Sequence, residues 1–429
     1  MVFFIIYKLT LLYYKYYNLR EKNNMNEEDK IAILSKLISY KSVNDHEKQV
    51  ALYLQSLLHE NGIESKLVPV SGDRANLVAE IGTGKPVLAI SGHMDVVDVQ
   101  EKNWNTDPFQ LTEQGDKLYG RGTTDMKAGL AAIVIALIEL KQNKTPINGT
   151  IRFMATAGEE VGQEGAEVLQ KEGYMKDVDS LLIAEPSGFI AVYASKGELD
   201  IDIKSIGKAA HSSMPALGNN AVEHLLNVLN DIQKQLKNLM DEAENEVLGK
   251  TVFNIDVIKG GTQPNAIPGS AEAVLNIRTI PELPNQKILE IIQNTIDQYN
   301  AHTTGQIALE CGMNIVPILG NKDARLLKLV QKIGQPYLQK QNYTAEQIKQ
   351  FEQQAKLSGI PFSADEILAV GVSGGTDASK FFIDQPTNCN YVVFGPGNGN
   401  SHQDNEFVSK AMYLEFIEIF KKVIVEFFK

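Results

Sequence analysis

Cysteine is nearly absent: the 429 residues hold only Cys311 and Cys389, with no C-x-x-C pair. A disulfide framework is thereby excluded, and a reducing, cytoplasmic setting is expected. Positive charge is also in deficit. Lys and Arg number 41 against 53 Asp and Glu, a net charge of -12, so a nucleic-acid backbone is disfavoured as partner. An uninterrupted run of the roughly 20 apolar residues that a transmembrane helix needs is missing as well. The apolar, Tyr-rich residues 1–24 (MVFFIIYKLTLLYYKYYNLREKNN) are broken by Lys8 and Lys15, lack a basic start and show no small-residue cleavage site. They read as an N-terminal extension with no part in the fold, and no stable membrane association is expected. Internal repeats and low-complexity tracts are not seen.

What is present is an ordinary globular composition, 43% hydrophobic and 22% charged, in a chain long enough for two domains. From Glu27 to Asn61 apolar residues recur at helical spacing, as in Ile31, Leu34, Leu37 and Ile38. Short apolar strands follow (NLVAEI, VLAIS, TIRFMATA, SLLIAE), and the strongly apolar helix GLAAIVIALIEL lies between the second and third. Buried strands alternating with helices predict an α/β sheet covered on both faces. Near Gly197 the texture changes: ELDIDIKSIG alternates like a strand with one wet face. The order β-α-β-β-α-β that follows is the ferredoxin-like split unit. A smaller α+β domain over residues 196–310 is therefore expected inside a first domain made of 25–195 and 311–429. Residues 338–365, rich in Gln and Lys, read as an exposed helix and loop.

The polar residues that end the α/β strands carry the chemistry. VLAISGHMDVVDV ends in His93 and Asp95; LYGRGTTDMKAG places Asp125 before the apolar helix; ATAGEE, IAEPSG and NSHQDNEF place Glu159, Glu160, Glu185 and His402. Open α/β sheets build their sites at these carboxyl ends. Each residue alone has a plainer reading, as a turn, a cap or a solvated charge. Five such events are better explained as one site. His93, Asp125, Glu160, Glu185 and His402 form a mixed imidazole and carboxylate set that suits Zn²⁺, with Co²⁺ or Mn²⁺ as substitutes. Five ligands exceed what one catalytic zinc takes. If one carboxylate bridges, each of two metals receives three, and such a pair roughly 3.5–4 Å apart polarises a carbonyl.

The segments SGHMDVVD, GRGTTDMKAG, AGEE, AEPSG, GKAAHSSMP and SHQDNEF together resemble the co-catalytic zinc family of aminoacylases, acetylornithine deacetylases, succinyl-diaminopimelate desuccinylases and glutamate carboxypeptidases. The resemblance runs from Met25 to the C-terminus and looks nearest to the desuccinylases. It implies a zinc-exopeptidase-like sheet and a dimerisation (lid) domain, in a homodimeric amidohydrolase carrying two Zn²⁺ per subunit. By resemblance, His93 and Glu185 bind one metal, Glu160 and His402 the other, and Asp125 bridges. Asp95 would orient His93, Glu159 would be the general base, and the Asp125–Met126 peptide would be cis. His211 would reach the partner subunit's site as an oxyanion donor. Arg278, Asn265, Gly375 and Thr376 would contact substrate carboxylates. The implied substrate is N-succinyl-diaminopimelate, with N-acetylornithine and dipeptides or carboxypeptidase substrates as alternatives.

One rival motif is present. GVSGG, residues 371–375, matches the G-x-S-x-G elbow of serine hydrolases, and Ser373, Asp384 and His402 imitate a triad in order. The three lie too close in sequence to span the sheet that normally separates them, no HGGG-type segment accompanies them, and Glu159, Glu160 and Glu185 would go unexplained.

Overall fold

A computed structural model describes residues 24–341, 343–397 and 399–429. The extension expected over residues 1–24 lies outside the described residues, apart from Asn24. In chain order the principal strands are β1 (Ser65–Pro69), β2 (Ala75–Gly82), β3 (Val87–His93), β4 (Thr150–Thr156), β5 (Ser180–Ile183), β6 (Gly197–Ile206), β7 (Val252–Gly260), β8 (Ser270–Thr279), β9 (Gln306–Ile315) and β10 (Tyr391–Val393). The helices are α1 (Glu27–Ser39), α2 (Lys48–Glu60), α3 (Lys127–Gln142), α4 (Ala221–Glu242), α5 (Asn285–His302), α6 (Arg325–Leu338), α7 (Ala345–Ser358) and α8 (Lys410–Phe427). The described residues form two compact units, one of residues 24–191, 323–369 and 390–429, the other of residues 192–322 and 370–389. Among the described residues no helix is long and apolar enough to cross a membrane.

In the first unit the strands run in the order β1-β2-β4-β3-β5-β10. β1, β2 and β4 pair antiparallel, whereas β4, β3, β5 and β10 are parallel. Every residue of β3, β4, β5 and β10 is buried, as expected for parallel strands covered on both faces. Helix α3 is buried over all but its last two residues, which explains an apolar sequence with no polar stripe. Its one inward carboxylate, Glu139, is matched by Lys30 Nζ at 3.1 Å from α1 and Lys421 Nζ at 2.5 Å from α8. A buried carboxylate without such partners would be strongly destabilising. Helix α1 starts where Asn26 accepts the Asp29 N–H at 2.8 Å, ahead of an acidic first turn. Helix α7 contributes no buried residue; Thr344 and Gln347 form its capping box and Gly359 ends it in the left-handed region.

The second unit contains the expected β-α-β-β-α-β order. β6, β8, β7 and β9 form a fully antiparallel sheet in the spatial order β7-β8-β6-β9. β6 alternates buried and partly exposed residues, and its inward face (Leu199, Ile201, Ile203) shares a core with Leu225, Val228 and Ile232 of α4 and Ile288 and Ile292 of α5. The bounds of this unit are wider than the 196–310 read from the sequence. Residues 370–389 join it because Val372 accepts the Lys196 N–H at 2.9 Å and Gly371 packs against Val247 and Leu248.

Candidate metal centre

Four parallel strands end at one edge of the first sheet, and their register makes those ends level. His93 pairs with Thr156, the last residue of β4, and Ser91 pairs with Ile183, the last of β5. Glu159 and Glu160 leave just beyond Thr156, Glu185 leaves just beyond Ile183, and His402 lies in the loop after β10. Asp125 stands immediately before α3.

These side chains converge as two groups, His93–Asp125–Glu185 and Asp125–Glu160–His402, with ligand atoms within 4.8 Å of one another in each. His93 Nε2 lies 3.0 Å from Asp125 Oδ1 and 3.4 Å from Glu185 Oε1. His402 Nε2 lies 3.0 Å from Glu160 Oε1 and 3.4 Å from Asp125 Oδ2. Asp125 therefore offers one oxygen to each group. The Asp125–Met126 peptide is cis. His93 Nδ1 lies 3.0 Å from the main-chain oxygen of Asp95, which can only accept, so Nδ1 carries a proton and Nε2 is the nitrogen aimed at the cluster.

The electrostatics of the cluster suit divalent cations. Burial would lower the His93 pKa, but Glu185, Asp125 and Asp95 outweigh it and hold the ring well above its usual value. Hydrogen bonds to Asp125 and Glu160 raise His402 to about 10. Burial pushes Glu185 up to about 8, while His402 and His93 overcome burial and keep Asp125 low. Glu185, His93 and His402 are thus driven toward their protonated forms where two dications would compensate the charge, and the N/O donor set is one that zinc, cobalt and manganese accept.

Asp95 does more than the sequence suggested. Its carboxylate lies 3.6 Å from His93 Nδ1, and its closer partners are main-chain N–H groups. Oδ1 accepts from Gly158 at 3.0 Å and Glu159 at 3.2 Å, and Oδ2 accepts from Glu160 at 3.0 Å. One buried side chain thus braces both the His93 ring and the turn that carries Glu159 and Glu160. From the other side, Arg74 is paired with buried Glu47 and lies so close to Gly158 that a Cβ there would meet its guanidinium at 2.0 Å.

Sequence reasoning missed a second brace. Glu406, fully buried in the SHQDNEF segment, accepts main-chain N–H groups of the loop bearing Asp125 and is paired with Arg121. Nothing in the sequence distinguishes it from the exposed carboxylate of Asp404. Buried Lys127 was also missed; its Nζ donates to the carbonyls of Leu37 and Tyr40 at the end of α1, and burial pushes its pKa down to about 7, against the pull of Glu406 and Asp95.

The remaining sequence-selected residues all belong to the second unit. His211 is exposed, and its Nδ1 accepts the Ser213 N–H at 3.2 Å, which leaves the ring proton of the neutral form on Nε2. Asn265 lies in the turn just before Ala266, which pairs with His211, and its carbonyl accepts the Ser212 N–H at 3.0 Å. Arg278 is already engaged: its fork pairs with Glu198 at 2.6 and 2.5 Å, and Nη1 lies 3.4 Å from the Ser373 carbonyl oxygen. Gly375 and Thr376 follow in that same turn, where the Thr376 hydroxyl accepts the Ala378 N–H at 3.3 Å. The serine-hydrolase reading gains no support, because His402 Nε2 faces Glu160 and Asp125.

Two metal cradles sharing one aspartate, at the carboxyl edge of a parallel sheet, are the signature of a metal-dependent hydrolase with a dinuclear centre. The chain belongs to peptidase family M20/M25/M40, whose model matches residues 89–426. It is 38% identical over 428 aligned residues to a Staphylococcus aureus (strain MRSA252) protein named probable succinyl-diaminopimelate desuccinylase, covering 94% of this chain and 98% of the relative. Among solved structures, the M20 family metallo-carboxypeptidase Sso-CP2 of Sulfolobus solfataricus matches with a TM-score of 0.73 at 19% identity, over 94% of this chain and 99% of that one. The YXEP protein of Bacillus subtilis, described as a dinuclear metal binding peptidase, matches with a TM-score of 0.64 at 16% identity, over 94% and 98%. At these identities the two structures establish the fold alone. The chain is thus a metal-dependent hydrolase of amide or peptide bonds in a small-molecule substrate.

Proposed function

We propose that this chain is a cytoplasmic, homodimeric N-succinyl-diaminopimelate desuccinylase that works with two zinc ions, cobalt or manganese being able to substitute. The observation that carries the catalytic reading is Asp125, whose two carboxylate oxygens face His93 and His402 separately. The substrate is supported by the name of the 38%-identical relative. Cytoplasmic placement is supported by the two unpaired cysteines.

Bound at the two cradles, the metals would act as Lewis acids on the scissile carbonyl and make the attacking water more acidic. Glu159 takes the proton from that water as its oxygen adds to the carbonyl carbon, and returns it to the amine nitrogen as the C–N bond breaks. His211 of the partner subunit donates from Nε2 to the developing oxyanion. Arg278 would bind a substrate carboxylate by exchanging Glu198 for it, with Asn265 beside it, while Gly375 and Thr376 cradle the α-carboxylate.

The test is an assay of the zinc-loaded protein against N-succinyl-diaminopimelate, N-acetylornithine and a dipeptide. Turnover should be greatest for the succinyl compound, vanish on exhaustive chelation and return with Zn²⁺. Turnover of the dipeptide alone would reverse the substrate assignment. Activity that survives metal removal would sink the dinuclear mechanism.

A further inference from the structure

We propose that Glu406 is a positioning residue for the reaction: it fixes the loop before α3 so that Asp125 can serve both metal cradles at once. The proposal rests on the reading of Asp125 as the shared ligand. The loop 120–125 makes few hydrogen bonds of its own, and its N–H groups are buried, so each needs an acceptor. Arg121 N–H finds Pro108 O and Thr123 N–H finds Gly120 O, and the Glu406 carboxylate takes those of Gly122, Thr124 and Asp125. Its Oε1 accepts from Thr124 N at 2.6 Å and Asp125 N at 3.0 Å. Its Oε2 accepts from Gly122 N at 3.1 Å and Arg121 Nη1 at 2.6 Å. The four acceptor sites of one carboxylate thus meet four donors, and neither oxygen has spare capacity.

The surroundings hold this arrangement in place. Glu406 is fully buried and Arg121 nearly so, and the guanidinium lies over the Trp104 ring at 5.4 Å from its centroid. Arg121 Nη2 also lies 3.4 Å from the Asp98 carbonyl oxygen and 3.5 Å from that of His402. The Glu406 main-chain oxygen accepts the Gly120 N–H at 3.1 Å, closing the loop at its other end. Pinning the Asp125 N–H fixes its Cα, and that determines whether Oδ1 and Oδ2 can lie 3.0 Å from His93 and 3.4 Å from His402 together. A loop released from Glu406 would let Asp125 satisfy one cradle and abandon the other.

Glu406→Gln tests this, since an amide of the same shape turns its NH₂ toward two of the four donors whichever way it is rotated. An unpaired buried guanidinium could itself unfold that variant. The double variant Arg121→Met/Glu406→Gln removes the charge as well. Metal-stripped parent and variants are titrated with Zn²⁺ against a chromogenic chelator, with unfolding midpoints measured on the metal-free proteins. The expected result is a folded variant that binds the zinc pair about 10–100-fold more weakly, with kcat reduced and KM little changed. A purely structural role would lower the midpoint and leave zinc affinity alone, which overturns the proposal. Failure of both variants to fold would do the same, by assigning Glu406 to the fold. Asp125→Asn separates the underlying reading: if it binds both zinc ions like the parent, Asp125 is not the shared ligand. If Asp125→Asn loses zinc and the folded Glu406 variants do not, the positioning proposal fails alone.

Discussion

Glu159 and Glu160 are neighbours with the same charge, and the turn beneath them gives them different surroundings. Gly158 adopts a φ of 73°, and the three consecutive N–H groups of Gly158, Glu159 and Glu160 converge on Asp95. Glu160 is left beside His402, whereas Glu159 contacts Gln163 Nε2 at 3.4 Å. Replacing Glu159 with Gln keeps the shape and removes the proton acceptor. The expected result is a fall in kcat of about 10²–10⁴-fold with both metals retained, read by steady-state kinetics alongside metal analysis. Metal loss in that variant would make Glu159 a ligand and overturn its role as base. At this scale the sequence exposed those residues that interrupt an apolar run at a strand end, such as His93 and Glu185. It concealed Glu406, three of whose four donors are backbone N–H groups, because backbone donors carry no residue identity. It also concealed the pairing of Arg278 with Glu198, which depends on the register of β8 against β6.

Among the elements, the approach of α3 and the segment after β10 to the end of β5 sets where Glu185 points. A Cβ at Gly129 of α3 would meet the Ala184 carbonyl oxygen at 2.0 Å, and one at Gly395 would meet the same atom at 2.2 Å. The residue before Glu185 is therefore gripped by backbone on both sides. Gly129→Ala sets two effects against each other. Helix propensity favours alanine in a helix interior by about 1 kcal/mol. Overpacking against a fixed main-chain oxygen costs about 1–3 kcal/mol. The contact should win, so the variant is expected to unfold at lower denaturant and to bind zinc more weakly as Glu185 shifts. A more stable variant with unchanged zinc affinity would show that α3 and β5 have room to part. The alternation of strands with an all-apolar helix was legible in the sequence because burial on every side leaves no polar face. The close approach was not, since glycine in an apolar helix reads the same whether it touches a neighbour or empty space.

Across the whole molecule, the candidate metal ligands and Glu159 belong to one compact unit, and His211, Arg278, Asn265, Gly375 and Thr376 to the other. A reaction that needs both sets depends on which copy of the second unit serves a given metal pair. If His211 crosses a homodimer, damage to base and donor is separable by subunit. The Glu159→Gln homodimer lacks its base at both sites, and the His211→Ala homodimer lacks its oxyanion donor at both, a loss of about 10²–10³-fold. A heterodimer of the two, isolated by distinct tags after co-expression, has one site with neither group and one with both. In the intact site Glu159 comes from the His211→Ala subunit and His211 from the other. Its activity should recover to about half that of the parent dimer, as a two-fold assembly with one working site requires. Were His211 to serve its own subunit, every site in the heterodimer would lack one group and no recovery would follow.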